Sequence, residues 1–90
     1  MTDQDQEIST TTVDDLLNEK KLILLNDNKN SFQMVIMALC IVMGFDEIQA
    51  ENLSIIVHNK GKAVIKTGEY LKLKDYYKKL KEFGLTLKIE

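Results

Sequence analysis

The 90-residue sequence predicts an α+β fold with the element order βααβαβ, in which helices pack on one face of a three-stranded sheet. Three observations support this fold class. Short apolar or alternating runs typical of strands lie at residues 20–26, 62–66 and 85–89, and apolar residues recur at helical spacing between them. Capping residues precede the first two helical segments, and glycines follow them. The length suffices for one domain with a single modest core.

The first strand and the first helix flank a polar loop. A run of four apolar residues just before turn residues predicts a central strand at about residues 20–26. The helix is predicted over Phe32–Met43, with Asn30 or Ser31 as its cap and Gly44 in the left-handed conformation that ends it. Almost every residue of this helix is apolar, so it is either covered on two sides or leaves part of its surface as a pocket wall.

The second helix follows after a very short connection. Asp46 is placed to cap it, and the helix runs to Lys60, where Gly61 closes it. Residues 62–66 then predict a strand, and Thr67-Gly68 is predicted as the turn or cap that ends this strand.

The third helix and the last strand complete the predicted order. Over Tyr70–Phe83 the apolar residues recur at helical spacing, while lysines occupy most of the remaining positions and predict a solvated face. Gly84 ends this helix. Residues 85–89 alternate with period two, which is typical of a strand with one wet face.

Composition predicts a folded cytoplasmic protein. The chain is 44% hydrophobic and 29% charged with no proline, unlike a disordered or fibrous chain. The longest apolar run, residues 34–43, is about half the length that spans a bilayer, so no membrane segment is expected. Cys40 is the only cysteine, which excludes an internal disulfide and fits a buried thiol in a reducing compartment.

Charge is distributed unevenly along the chain. Residues 1–19 carry six acidic residues and no lysine, whereas all 12 basic residues lie further on. We expect residues 1–18 to form a flexible acidic arm, because they are polar and aperiodic, and residues 19–90 to form the folded domain. Every basic residue is a lysine, so the arginine forks that commonly bind phosphates and guanines are missing, and nucleic-acid binding is not expected.

The polar loop at residues 26–30 has two interpretations. Its alternating asparagines resemble the start of an EF-hand loop, but Ser31 and Met37 occupy the positions that require glycine and glutamate, so calcium is not expected. Taken alone, the loop is a turn whose side chains bond their own backbone and cap the helix. It becomes a binding site only if a second element contributes to it.

The only histidine, His58, lies in the last turn of the second helix and is the candidate second element. With one histidine and one cysteine, a metal site would consist mostly of carboxylates, so neither a metal nor another cofactor is predicted. Cys40 lies among aliphatic residues without a nearby charge to activate its thiol, so a Cys40–His58 catalytic pair is not expected. The chain is therefore predicted not to be an enzyme.

Two short motifs carry a family resemblance. Leu25-Asn26-Asp27 ends the first strand, and Val57-His58-x-x-Gly61-Lys62-Ala63 leads into the second. In this order and spacing they resemble the ClpS family, the adaptors of the Clp AAA+ protease system, from about residue 20 to residue 90. The resemblance implies a non-enzymatic adaptor that captures proteins with a bulky apolar first residue, an N-degron, and delivers them to a ClpA- or ClpC-type unfoldase.

The resemblance also implies roles for individual residues. A free α-amino group needs acceptors around it and an adjoining apolar cavity for the first side chain. The acceptors that match the family are Asn26, Asp27 and His58. His58 would have to present an unprotonated ring nitrogen, so binding should weaken as the imidazole is protonated. The remaining matched positions are Phe32, Val35, Ser54, Val57 and Leu85 for the apolar pocket, Asn30 for the peptide, and Glu69 and Lys74 for the unfoldase.

The sequence departs from the family pattern at three places. Asn28 stands where the family usually has a second aspartate, which removes one negative charge near the amine. Phe32 replaces the methionine that gates the pocket, and Ser54 replaces a methionine of the opposite wall. A large ring on one side and a small hydroxyl on the other would redistribute the pocket volume.

The sequence is also compatible with two other functions. In the first, the chain keeps the ClpS fold and the unfoldase partner but does not bind N-degrons, because Phe32 closes the pocket. In the second, the chain is an interaction domain similar to the C-terminal domain of the ribosomal stalk protein, and the lysine-rich third helix carries the binding. Pocket volume distinguishes the first alternative from the leading one.

Overall fold

A computed structural model describes residues 18–90, which form six elements in the predicted βααβαβ order. The predicted acidic arm lies outside the described residues, apart from Asn18. The elements are β1 Glu19–Leu25, α1 Phe32–Met43, α2 Glu47–Lys60, β2 Lys62–Glu69, α3 Tyr70–Glu82 and β3 Thr86–Ile89. The predicted α+β class is confirmed.

The sheet has the order β2-β1-β3, and both pairs of strands are antiparallel. As predicted, β1 is the central strand. Its Leu24 lies opposite Ala63 of β2 and Leu87 of β3, and all three side chains are buried on the same face. Helix residues pack on this face to complete one core, whose largest fully buried members are Leu22, Leu24, Leu39, Leu73, Leu80 and Leu85.

The helix ends follow the capping chemistry of the sequence. The Ser31 hydroxyl accepts a 3.1 Å hydrogen bond from the backbone N–H of Met34, and Asp46 accepts one of 2.7 Å from Gln49. Gly44 ends α1 with φ of 73°, a left-handed conformation that favours glycine. These caps fix where α1 begins and where α2 begins.

One prediction about β2 is wrong. Thr67-Gly68 is not a turn, because β2 continues to Glu69 and pairs with Lys21 and Lys20 of β1. Gly68 has φ of 155°, a conformation that other residues rarely adopt. This glycine therefore allows the backbone of β2 to continue to Glu69 instead of ending the strand. The extension makes β2 the longest strand of the sheet and leads directly into α3.

The apolar helix α1 is only partly covered. Ala38 and Leu39 are fully buried, whereas Met37 and Ile41 are 43% and 63% exposed. Its first residue, Phe32, is also exposed and faces the polar loop region. Of the helices in the described part of the chain, none is both long enough and apolar enough to cross a membrane.

Candidate functional site

The two sequence motifs meet at one edge of the molecule. The backbone N–H of Asn26, directly after β1, donates a 2.9 Å hydrogen bond to the carbonyl of Gly61, which ends α2. This bond extends the antiparallel pairing of β1 with β2 by one residue. It places the polar loop after β1 beside the last turn of α2, which carries His58.

A cavity of about 440 Å³ opens at this junction. Its lining contains every residue predicted for the substrate site, together with two residues of β1. The lining residues are Leu24, Leu25, Asn26, Asp27, Asn30, Phe32, Val35, Ser54, Val57, His58 and Leu85. The structure therefore brings the predicted residues together, while their part in binding stays a prediction.

Asp27 is the best-connected polar residue of the site. Its Oδ1 accepts hydrogen bonds from the backbone N–H groups of Lys29, at 2.9 Å, and Asn30, at 3.0 Å. Its Oδ2 accepts from the Thr86 hydroxyl at 2.9 Å, and the Asn30 amide donates to both oxygens. A carboxylate offers about four acceptor positions, so these donors use its capacity and hold the loop in one shape.

The same contacts control the charge of Asp27. Burial acts to raise its pKa, but the hydrogen bonds from the Asn30 backbone, the Thr86 hydroxyl, the Lys29 backbone and the Asn30 side chain outweigh burial. The pKa of Asp27 is therefore lower than its ordinary value of 3.8. The cavity has a fixed negative charge at neutral pH.

The Asn30 side chain links the loop to the start of β3. Its Nδ2 donates to the carbonyl of Gly84 at 2.8 Å and to both carboxylate oxygens of Asp27. Because all three neighbours are acceptors, only the NH₂ group can face them, and the orientation of the amide is determined. This orientation leaves the side-chain Oδ1 of Asn30 as the acceptor of the amide.

The wall of the cavity is apolar in effect, although it includes a serine. Ser54 is only 3% exposed, and its hydroxyl donates a 2.8 Å hydrogen bond to the carbonyl of Ala50 on the preceding turn of α2. The hydroxyl is thus satisfied within its own helix. Phe32 lies on another part of the wall and is 42% exposed, so its ring borders the cavity without filling it.

The two residues predicted for unfoldase contact lie away from this cavity. Glu69 is the last residue of β2, at the cap position of α3, and Lys74 lies one turn into that helix; both are exposed. Lys74 borders a second, shallower cavity of about 370 Å³ between α3 and β3. Within residues 18–90, no three histidine, cysteine, aspartate or glutamate side chains form a group that could hold a metal ion.

Sequence reasoning missed four residues of the site. Leu24 and Leu25 line the cavity, and their place at the end of β1 beside the polar motif could have indicated this. Thr86 and Gly84 bond to the loop from the start of β3. No local pattern marks them, because they are more than fifty residues away in sequence and meet the loop only in the folded sheet.

Comparisons with known proteins agree with this fold. The sequence pattern of the family described as "ATP-dependent Clp protease adaptor protein ClpS" matches residues 17–88. Among solved structures, that of Agrobacterium tumefaciens ClpS2 bound to L-phenylalaninamide is similar, with a TM-score of 0.77 and 23% identity over 80% of this chain and 94% of that chain. Curated proteins give no significant match.

Proposed function

Because this chain belongs to the ClpS family of ATP-dependent Clp protease adaptors, we propose that it binds proteins through an unmodified, bulky apolar N-terminal residue. It then delivers them to a Clp AAA+ unfoldase in the cytoplasm. The observation that carries the proposal is the cavity of about 440 Å³, where a charged, acceptor-rich loop borders an apolar wall. A free N-terminal residue with an apolar side chain has this same combination of a cation and an adjoining apolar group.

The polar loop and His58 supply acceptors and a negative charge for the α-amino group. An ammonium group carries three N–H donors and is stabilised by acceptors and by negative charge around it. The side chains of Asn26 and His58 are exposed at the cavity and offer acceptors. Asp27 acts mainly through its charge and by holding the loop, because the Lys29, Asn30 and Thr86 donors already occupy its oxygens.

The apolar wall accommodates the first side chain. Val35 lies on α1, Val57 lies on α2, and Leu85 directly precedes β3. The small, internally bonded Ser54 leaves room beside them. A volume of about 440 Å³ lies within the range of small-ligand pockets, roughly 300–1,000 Å³. It supports binding of a bulky side chain over the alternative in which Phe32 closes the pocket.

The similar ClpS2 structure supports the same ligand chemistry. That protein is bound to L-phenylalaninamide, a compound with a free α-amino group next to an aromatic side chain. Its carboxamide resembles the peptide bond that follows the first residue of a protein. We expect the side-chain carbonyl oxygen of Asn30, whose NH₂ group bonds to Gly84, to accept the N–H of that bond.

Fluorescence anisotropy with labelled peptides tests the proposal. Peptides that begin with Phe, Leu, Tyr or Trp should bind, and N-acetylation should weaken binding by at least about tenfold, since it removes the cation that the site recognises. Asp27→Ala should weaken binding similarly. Asp75→Ala is the matched control, because Asp75 is an exposed aspartate on α3, paired only with Lys79. Equal affinity for free and acetylated peptides would refute the proposal.

The unfoldase contact is a separate part of the proposal. Glu69 and Lys74 are exposed at the start of α3, on elements that do not line the substrate cavity. We expect Glu69→Ala and Lys74→Ala to reduce delivery of a substrate to a ClpA- or ClpC-type unfoldase while peptide affinity stays unchanged. If both variants deliver substrate normally, the unfoldase binds elsewhere.

A further inference from the structure

The outer edge of β2 has backbone groups that are open to another strand. Within residues 18–90, β2 pairs with β1 alone and lies at the edge of the sheet. A row of free N–H and C=O groups on an edge strand can pair with a further chain. The direction of these groups, the charges beside them and the apolar surface next to them together specify a partner.

The hydrogen bonds of β1 show which residues of β2 face outward. The backbone N–H and C=O of Lys21 both bond to Glu90, next to β3. Because bonding direction alternates along a strand, every second residue of β1 counted from Lys21 bonds toward β3. The other residues of β1, which are Lys20, Leu22 and Leu24, bond toward β2. The residues of β2 opposite the second group are Ala63, Lys66 and Gly68. The backbone groups that point to the free edge are therefore those of Lys62, Val64, Thr67 and Glu69. A bulge at Ile65 separates the two pairs.

The side chains of these four residues lie on the sheet face opposite the core. Ala63 and Ile65 are buried, so the alternating Lys62 and Val64 point to the open face. Thr67 and Glu69 share that face because of their register with β1. Glu69 lies directly opposite Glu19, a like-charge pair that costs free energy. A cation beside Glu69 would offset this repulsion.

A groove of about 500 Å³ with a mixed apolar and polar lining runs beside the same edge, between α2 and β2. On α2, Ile48 and Ile56 lie two turns apart on one side of the helix and are 71% and 40% exposed. Val64 on β2 is 46% exposed. The groove thus places exposed apolar side chains next to unpaired backbone groups, a combination that favours association.

We propose that this edge is an interface with a second copy of the chain, formed by antiparallel pairing of β2 with β2. The register that places Lys62 opposite Glu69 of the second copy also places Val64 opposite Thr67 of that copy. In this register all four outward-facing residues of one copy lie opposite outward-facing residues of the other copy. Any other antiparallel register pairs at most two of the four in this way. The two bulges meet at the two-fold axis, and α2 of each copy lies beside the groove.

Charge complementarity indicates that the partner at the edge of β2 is a second copy of the chain. In this register Lys62 of one copy pairs with Glu69 of the other, and the two-fold axis repeats the pair. Each lysine also lies near the Glu19–Glu69 pair and reduces its repulsion. The edge is therefore complementary to itself, and the product is a six-stranded sheet. This inference does not depend on peptide binding in the substrate cavity, but it shares Glu69 with the proposed unfoldase contact, so the dimer and the unfoldase would compete for that residue.

Sedimentation velocity of the full chain, from about 10 μM to about 1 mM, tests the interface. The wild-type chain should shift from monomer to dimer with concentration. Lys62→Glu and Glu69→Lys should each weaken the dimer by about tenfold or more, because each change turns two attractive pairs into two repulsive ones. An equimolar mixture of the two variants should form a heterodimer, and the double variant should dimerise again. Lys72→Glu, an exposed charge reversal on α3, should have no effect.

Amide hydrogen exchange gives a second test that needs no substitution. The amides of Val64 and Thr67 should become protected as concentration rises, whereas those of Ala63 and Lys66, which already face β1, should not change. Monomeric behaviour at all concentrations would overturn the proposal. A dimer that is insensitive to both charge reversals would also overturn it, since that dimer would use another surface.

Discussion

The hydroxyl of Thr86, at the start of β3, donates a 2.9 Å hydrogen bond to Oδ2 of Asp27, which follows β1. The two residues are 59 positions apart in sequence. Through this bond the last strand fixes the orientation of a carboxylate that belongs to the polar loop. The charge of the candidate site is therefore set by the tertiary fold as well as by the loop itself.

Replacing Thr86 by valine should destabilise the chain by about 1–3 kcal/mol. Valine has nearly the same shape but cannot donate, so Oδ2 of the partly buried Asp27 carboxylate loses the shorter of its two hydrogen bonds and keeps only the one from Asn30. Urea unfolding measures the change in the free energy of unfolding. Thr67→Val is the control, since Thr67 is exposed and no side-chain bond to a carboxylate depends on it. Equal stability of the two variants would show that the Thr86 bond contributes little.

The lowered pKa of Asp27 predicts an acid-dependent part of the stability. In the folded chain this pKa lies below the ordinary value of 3.8, so near that pH the unfolded chain binds more protons than the folded one. The contribution is fully present above the ordinary value and is lost as the pH falls through the folded-state pKa. We expect urea unfolding to show wild type more stable than Asp27→Asn at neutral pH, with the difference shrinking at acid pH. A pH-independent difference would contradict this linkage.

His58 should contribute to peptide binding through an acceptor nitrogen. His58→Ala removes this acceptor and should weaken binding of a peptide that begins with phenylalanine by about tenfold, whereas His58→Gln keeps a side-chain acceptor and should lose less affinity. Anisotropy titrations of the two variants beside wild type provide the measurement. Equal affinity of His58→Ala and wild type would exclude His58 as a contact of the α-amino group.

Ser54 should determine how large a first side chain the pocket accepts. Ser54→Met extends a buried wall residue into the cavity of about 440 Å³. The affinity for peptides that begin with tryptophan should therefore fall more than the affinity for those that begin with leucine, by a ratio of about tenfold. Ser54→Ala is the matched control, because it removes only the hydroxyl bonded to Ala50 and should leave the ratio unchanged.

Much of the fold could be predicted because its signals are local. The caps at Ser31 and Asp46 and the glycines after α1 and α2 depend on residues within one helical turn of each other. Thr67-Gly68 was predicted wrongly for the opposite reason. A glycine after a strand usually indicates a turn, but here the pairing of Gly68 with Lys20 keeps the chain extended, and that pairing is a tertiary contact.

The candidate site also combines features with a local sequence signal and features that depend on tertiary contacts. Its residues could be predicted from two motifs because the loop after β1 and the last turn of α2 each have a distinct local pattern. The bond from Asn26 to Gly61 that joins them, and the Thr86 hydroxyl that completes the shell of Asp27, have no such pattern. These contacts depend on strand register, which a single sequence specifies only weakly at a polar edge.

The loop at residues 26–30 is tied to Gly61 on one side and to Gly84 and Thr86 on the other. Its shape is therefore complete only when both outer strands have joined the central one. A ligand that needs this shape binds the native chain and not a partly folded one, so mass action makes it a stabiliser. A peptide that fits the cavity should raise Tm with concentration, and occupancy of the site would then report the integrity of the whole sheet.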